Sequence, residues 1–211
     1  ELEAWDFGHE GWVNERASGF IVSPVQDSLV FEVLSWTPGT KKAVKAQAFN
    51  LILPERPIQE ELTAYFESIK ANIRGKIVLI GKPAVIPVNL NPAPKRVSDE
   101  DMKNRLNPNN ANRQGNPFGN QQPLPTPKPN QLNGLQIAEQ LDKFLVDNKA
   151  AIRVNDAGRE HGQIRAFNNR TFDVKKVVPT VVMWNEDFGR ITRIMGDGSA
   201  VMLEFDIRNR V

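Results

Sequence analysis

Residues 177–208 constrain the fold more than any other stretch, because they read as strand, helix, tight turn and strand with no residues to spare. Val177 to Trp184 is an apolar, β-branched run of the kind that forms a buried strand, and Trp184 is expected to extend it into the core. Asn185 is placed to cap the helix that follows. Glu186 and Asp187 fall in its first turn, where the helix dipole favours negative charge. Phe188, Ile191, Ile194 and Met195 recur at helical spacing and define one apolar face. Gly196-Asp197-Gly198 ends the helix, since glycine tolerates positive φ. Val201, Leu203, Phe205 and Ile207 then alternate with Met202, Glu204, Asp206 and Arg208, the period of a strand with one buried face.

The rest of the chain divides at its prolines and glycines. Segments around residues 15–22, 28–35 and 44–53 read as strands, with turns at Ser23-Pro24 and Thr37-Pro38-Gly39-Thr40. Leu62, Tyr65, Phe66, Ile69 and Ile73 form the apolar stripe of a helix that Gly75 stops, and 76–81 is the next buried strand. Ser98 followed by Asp99-Glu100-Asp101 predicts a capped short helix to about Leu106. A further helix is expected over 132–148, burying Leu135, Ala138, Leu141 and Leu145 and fraying at Gly134. A short strand over 151–154 and a polar loop over 156–169 follow. Residues 107–131 carry six prolines, two glycines and many amides. So little apolar surface cannot offset the entropy of ordering, and a mobile surface excursion is expected there, with 123–129 in polyproline II. The fold class expected from this pattern is α+β, or mixed α/β.

Composition removes several functions. The chain of 211 residues, 40% apolar, suits one domain with a long insertion. No cysteine is present, so no disulfide or thiolate metal site can form. Its 27 basic and 25 acidic residues are intermixed, with a net charge of +2. That is no basis for binding nucleic acid. Lys41-Lys42-Lys45, Lys95-Arg96 and Lys175-Lys176 are read as solvated turns. No apolar run is long enough to span a membrane, and no signal peptide is seen. The chain opens on Glu1 rather than Met, which is expected of a cut or processing boundary.

Three phrases together carry a family resemblance. Val178-Pro179-Thr180-Val181-Val182 followed by Glu186-Asp187-Phe188-Gly189-Arg190-Ile191 is one, and Ile73-Arg74-Gly75-Lys76-Ile77-Val78-Leu79-Ile80 is another. The third is the opening, Leu2-Glu3-Ala4-Trp5-Asp6-Phe7 with Gly8 and Gly11-Trp12. In order and spacing the chain resembles the protease-associated (PA) domain inserted in secreted zinc aminopeptidases and the glutamate carboxypeptidase group. The resemblance implies a partly open β-barrel or sandwich flanked by helices. It also implies a junction with a missing peptidase domain over 1–12, and a PA-like domain over 13–211 that contains the insertion at 107–131. Trp5, Phe7 and Trp12 would then pack on the catalytic part.

Candidate chemistry within the chain is nearly empty. The peptidases that the chain resembles hold two zinc ions with His, Asp and Glu ligands that begin at a His-x-Asp phrase. Here His9 is followed two residues on by Gly11, and His161 by Gln163, so both histidines are read as turn or loop residues. No His-Glu-x-x-His helix, Gly-x-Ser-x-Gly elbow, cysteine nucleophile or phosphate-binding Gly-rich loop occurs. Asp99-Glu100-Asp101 could bind calcium, but a helix cap is the ordinary use of such a run. Asn169-Arg170-Thr171 is a glycosylation sequon. No catalytic, cofactor-binding or metal residue is therefore assigned, and zinc is expected only in the missing catalytic domain.

The function expected is that of a non-catalytic lid of a secreted or periplasmic zinc metallopeptidase. Its partners would be the catalytic domain and a peptide substrate, with neither nucleic acid nor membrane. Loops over 83–96 and 156–170 would govern substrate access. The alternatives are a stand-alone interaction module that docks through 107–131, and, last, a small hydrolase.

Overall fold

The computed structural model describes residues 3, 5–87, 96–107, 128–166 and 170–211. Residues 1–86 and 130–211 form one compact unit, and 87–129 a second. In the second unit the described helix is α2 (Asp99–Leu106). The Ser98 side chain accepts the Asp101 N–H at 3.1 Å, the cap expected from the sequence. Most of 107–131, including the docking strip and the polyproline reading of 123–129, lies outside the described residues.

The first unit is built on eight strands: β1 (Val13–Ser23), β2 (Asp27–Ser28), β3 (Phe31–Val33), β4 (Val44–Leu51), β5 (Ile77–Ile80), β6 (Ile152–Asp156), β7 (Thr180–Met183) and β8 (Met202–Arg210). Their order across the sheet is β2-β1-β8-β4-β5-β6-β7-β3. β4 to β7 run parallel, while β8, β1 and β3 are antiparallel to their neighbours. The two outermost strands, β2 and β3, are consecutive in the chain. Leu29 N–H donates to Gly19 O on β1, and Trp184 N–H to Val30 O. The sheet therefore curls until its two margins meet along one short segment, a partly closed barrel. This is the mixed α+β, PA-like architecture expected. Curling also shortens the open edges that invite association.

Alternation sorts the side chains into two cores. Ile77 and Leu79 of β5, Ile152 and Val154 of β6, and Leu203, Phe205 and Ile207 of β8 line the inner one. Helix α4 (Asn185–Gly196) closes it with Phe188 and Ile191. On the outer face, Leu51 and Val78 meet α1 (Gln59–Ile69) and α3 (Gly134–Asp147). Phe66 and Phe144 stack there with centroids 4.2 Å apart.

Several expectations need correction. Leu135 is 58% exposed, because the buried stripe of α3 runs through Ala138, Leu141, Phe144 and Leu145 instead. Nor does Gly134 mark fraying: Asn133 and Gln136 exchange two 2.9 Å bonds in a capping box just before it. Strand β7 begins later than expected, at Thr180, directly after Pro179, which has no N–H to give to a ladder. Trp184 is half-buried rather than a core residue, and a Cβ added at Gly162 would stand 3.4 Å from its Nε1.

Candidate functional site

The parallel strands β5 and β6 and the start of α4 bring three segments to one end of the sheet, the carboxyl end where open α/β sheets bind ligands. Asp156, the last residue of β6, ties them together. Its Oδ2 accepts the Ala84 N–H at 2.7 Å and the Asn185 side-chain amide at 2.9 Å, while Oδ1 accepts the Gly158 N–H at 3.0 Å. The Asn185 amide also donates to Ala84 O at 3.0 Å. Asn185 thus joins loops instead of capping α4, whose N-cap is Trp184 with no side-chain bond. The two loops proposed as access elements start from this knot, although 88–95 and 167–169 lie outside the described residues.

Beside the knot, the outer face of β6 and β7 forms a cleft of about 410 Å³. Period two on β6 turns Arg153 and Asn155 towards it, while Ile152 and Val154 face the inner core. Arg153 is only 9% exposed and would be costly without a partner. Its guanidinium donates Nη1–H to Asp142 of α3 and Nε–H to Asn155 Oδ1 at 2.8 Å. Arg170 Nη1 approaches the other Asp142 oxygen at 3.5 Å. Burial pushes the Asp142 carboxyl above its ordinary value, against the pull of Arg153 and Arg170. Arg159 and Arg165, from the loop after β6, complete the basic wall.

The opening segment reaches the same cleft. Trp12 Nε1–H donates to Thr37 O at 2.9 Å, and the Trp12 ring packs against the inner core. His9 stacks on Phe172 with centroids 3.8 Å apart and meets Trp36 edge-on. Trp36 and Thr37 line the cleft. Trp5 and Phe7, by contrast, are 80% and 76% exposed. His161 is exposed in its loop at φ 57°, with Glu160 Oε2 3.7 Å from its Nε2. Among the described residues no group of three or more His, Cys, Asp or Glu could hold a metal ion. Nor is any described helix long and apolar enough to cross a membrane. Lys41, Lys42, Lys45, Lys175 and Lys176 are exposed, as solvated residues should be.

No protein-family model and no curated protein matches this chain. Among solved structures, a peptidase M28 precursor from Shewanella amazonensis SB2B is similar over 95% of this chain and 36% of its own, with 12% identity and a TM-score of 0.51. The likeness is one of fold. An aminopeptidase from Aneurinibacillus sp. strain AM-1 aligns over 94% of this chain and 33% of its own at 10% identity and a TM-score of 0.48. BSAP, a zinc aminopeptidase from Bacillus subtilis, does so over 94% and 32% at 12% identity and 0.45. The chain spans about a third of the length of the solved structures it matches.

The sequence reading missed the Arg153–Asp142 pair and the cleft it floors. Part of a signal was present, an arginine inside an expected short strand, but that expected strand ends at Val154, one residue before Asn155. What the sequence could not supply was the partner, since Asp142 lies on a helix and only the packing of α3 on the sheet brings it close.

Proposed function

We propose that this chain is a non-catalytic, PA-like accessory domain of a zinc-dependent metallopeptidase that is secreted or periplasmic. The observation that carries the reading is the fold shared with 36% of a peptidase M28 precursor over 95% of this chain. Residues 1–12 would form the junction with the catalytic domain, and exposed Trp5 and Phe7 are suited to pack on it. Zinc would be held entirely by that domain. The loops rooted at Asp156 would lid the active-site cleft, excluding water and limiting which peptides reach the metals. A rigid root favours this role, because a lid positions substrate only when its base is fixed.

The test is to read the parent gene beyond Val211 and to assay its product. A His-x-Asp phrase followed by further Asp, Glu and His ligands supports the reading, and an unrelated domain there overturns it. In the parent enzyme, shortening the 157–170 loop should change the preference among peptide substrates while zinc content stays constant. Equal loss of zinc would defeat the lid role.

A further inference from the structure

We propose that the cleft between β6, β7 and α3 binds a carboxylate joined to an apolar body, such as the carboxyl end of a short peptide. Arg153, Arg159, Arg165 and Arg170 line it against Asp142 and Asp156, so the wall has two positive charges in excess. The two acids are already engaged. Asp142 accepts from Arg153 and Arg170, and Asp156 from Ala84, Gly158 and Asn185. Arg159 makes no ion pair among the described residues, so its planar fork of donors is open to a ligand carboxylate.

The other walls narrow the ligand class. Leu34, Trp36, Val177 and Val182 give the cleft an apolar side next to the basic one. The hydroxyls of Thr37 and Thr180 donate to nearby backbone carbonyls, Leu34 O and Val178 O, and so do not face a ligand as donors. Guanidinium groups, together with the Asn155 amide and the Thr171 hydroxyl that also line the cleft, supply the donors. A free phosphate would satisfy them but leave the apolar side wet, whereas a carboxylate on an apolar body covers both. The volume of about 410 Å³ lies low in the range of roughly 300–1,000 Å³ usual for small-molecule pockets, which favours a short ligand. At the floor Arg153 and Asp142 neutralise one another, so the attraction for a ligand carboxylate rests on Arg159 at the wall. Binding of this kind needs no catalytic domain, so this chain alone suffices to test it, and failure of the peptidase reading would leave the result intact.

The experiment is calorimetric titration of the chain with N-acetyl-leucine and with N-acetyl-leucine amide, with inorganic phosphate as the third arm. The acid should bind in the millimolar range or tighter, and the amide and phosphate about tenfold more weakly or worse. Arg159→Gln should weaken the acid about tenfold with an unchanged unfolding midpoint, and Lys41→Gln should leave it unchanged. Acid and amide binding alike, no binding of the acid, phosphate binding as tightly as the acid, or indifference to Arg159→Gln would each overturn the proposal. Should Arg159→Gln fail to fold, the acid–amide comparison on the unaltered chain decides the matter.

Discussion

Gly19 marks a tight point of the inner core. A Cβ there would stand 2.6 Å from Phe31 Cε1 and 2.7 Å from Phe205 Cε1, where two aromatic rings meet edge to face. Gly19→Ala should therefore destabilise the chain by about 1–3 kcal/mol through overpacking. Gly11→Ala, with nothing within 4 Å of its Cβ, should stay within about 0.5 kcal/mol. Urea unfolding of the two variants checks the contrast. A second residue-scale consequence concerns Arg190, which joins α4 to β2. It donates to Asp27 Oδ2 at 2.6 Å and to Asp187 Oδ1 at 3.1 Å, while Asp187, 6% exposed, also accepts the Val30 N–H. The hydrogen bond from Arg190, with the Ser28 N–H and the guanidinium charge, holds the Asp27 carboxyl below its usual range. A carboxyl depressed in the folded state stabilises it above the ordinary value and loses that contribution as pH falls through the folded one. Asp27→Asn should therefore lose less stability than the parent chain as pH is lowered from about 5 to 3, around the usual carboxyl range.

Elements show which signals survive in a sequence and which do not. Helix α3 ends in a Schellman motif: Lys149 N–H bonds Val146 O at 3.1 Å, and Ala150 N–H bonds Leu145 O at 2.9 Å. Lys149 sits at the left-handed position with φ 55°, which glycine occupies without steric cost. Lys149→Gly should thus raise stability by about 0.5–1 kcal/mol, read as a higher urea midpoint at constant slope. Strand β8 was legible almost residue by residue, because Val201, Leu203, Phe205 and Ile207 keep strict alternation and all are fully buried. Leu135 misled because a leucine near a helix start fits an apolar stripe on paper, while the observed stripe begins one turn later at Ala138. Asn185 misled for a different reason: capping propensity is local, and Asp156 and Ala84 competed for its side chain from distant parts of the chain. The candidate cleft was illegible on the same grounds, since its basic floor and acidic partner come from a strand and a helix that only tertiary packing brings together.

Across the whole molecule, β8 is the member that the others need. It pairs with β1 from Val13↔Arg210 to Ser23↔Met202 on one side, and with β4 from Val44↔Phe205 to Gln47↔Met202 on the other. Deleting residues 201–211 should leave no cooperative thermal transition. Deleting 1–8, whose described residues join neither core, should move the midpoint by only a few degrees. Near-native melting of the first deletion would show that the barrel tolerates a missing stave. The placement of β8 also bears on manufacture of the protein in the cell. At roughly 5–20 residues per second, β1 leaves the ribosome on the order of ten seconds or more before its long partner is made. Until then its long edge towards β8 is unpaired. The β1–β8–β4 part of the sheet can therefore close only late in synthesis, and a chaperone that shields nascent β1 would act in that interval.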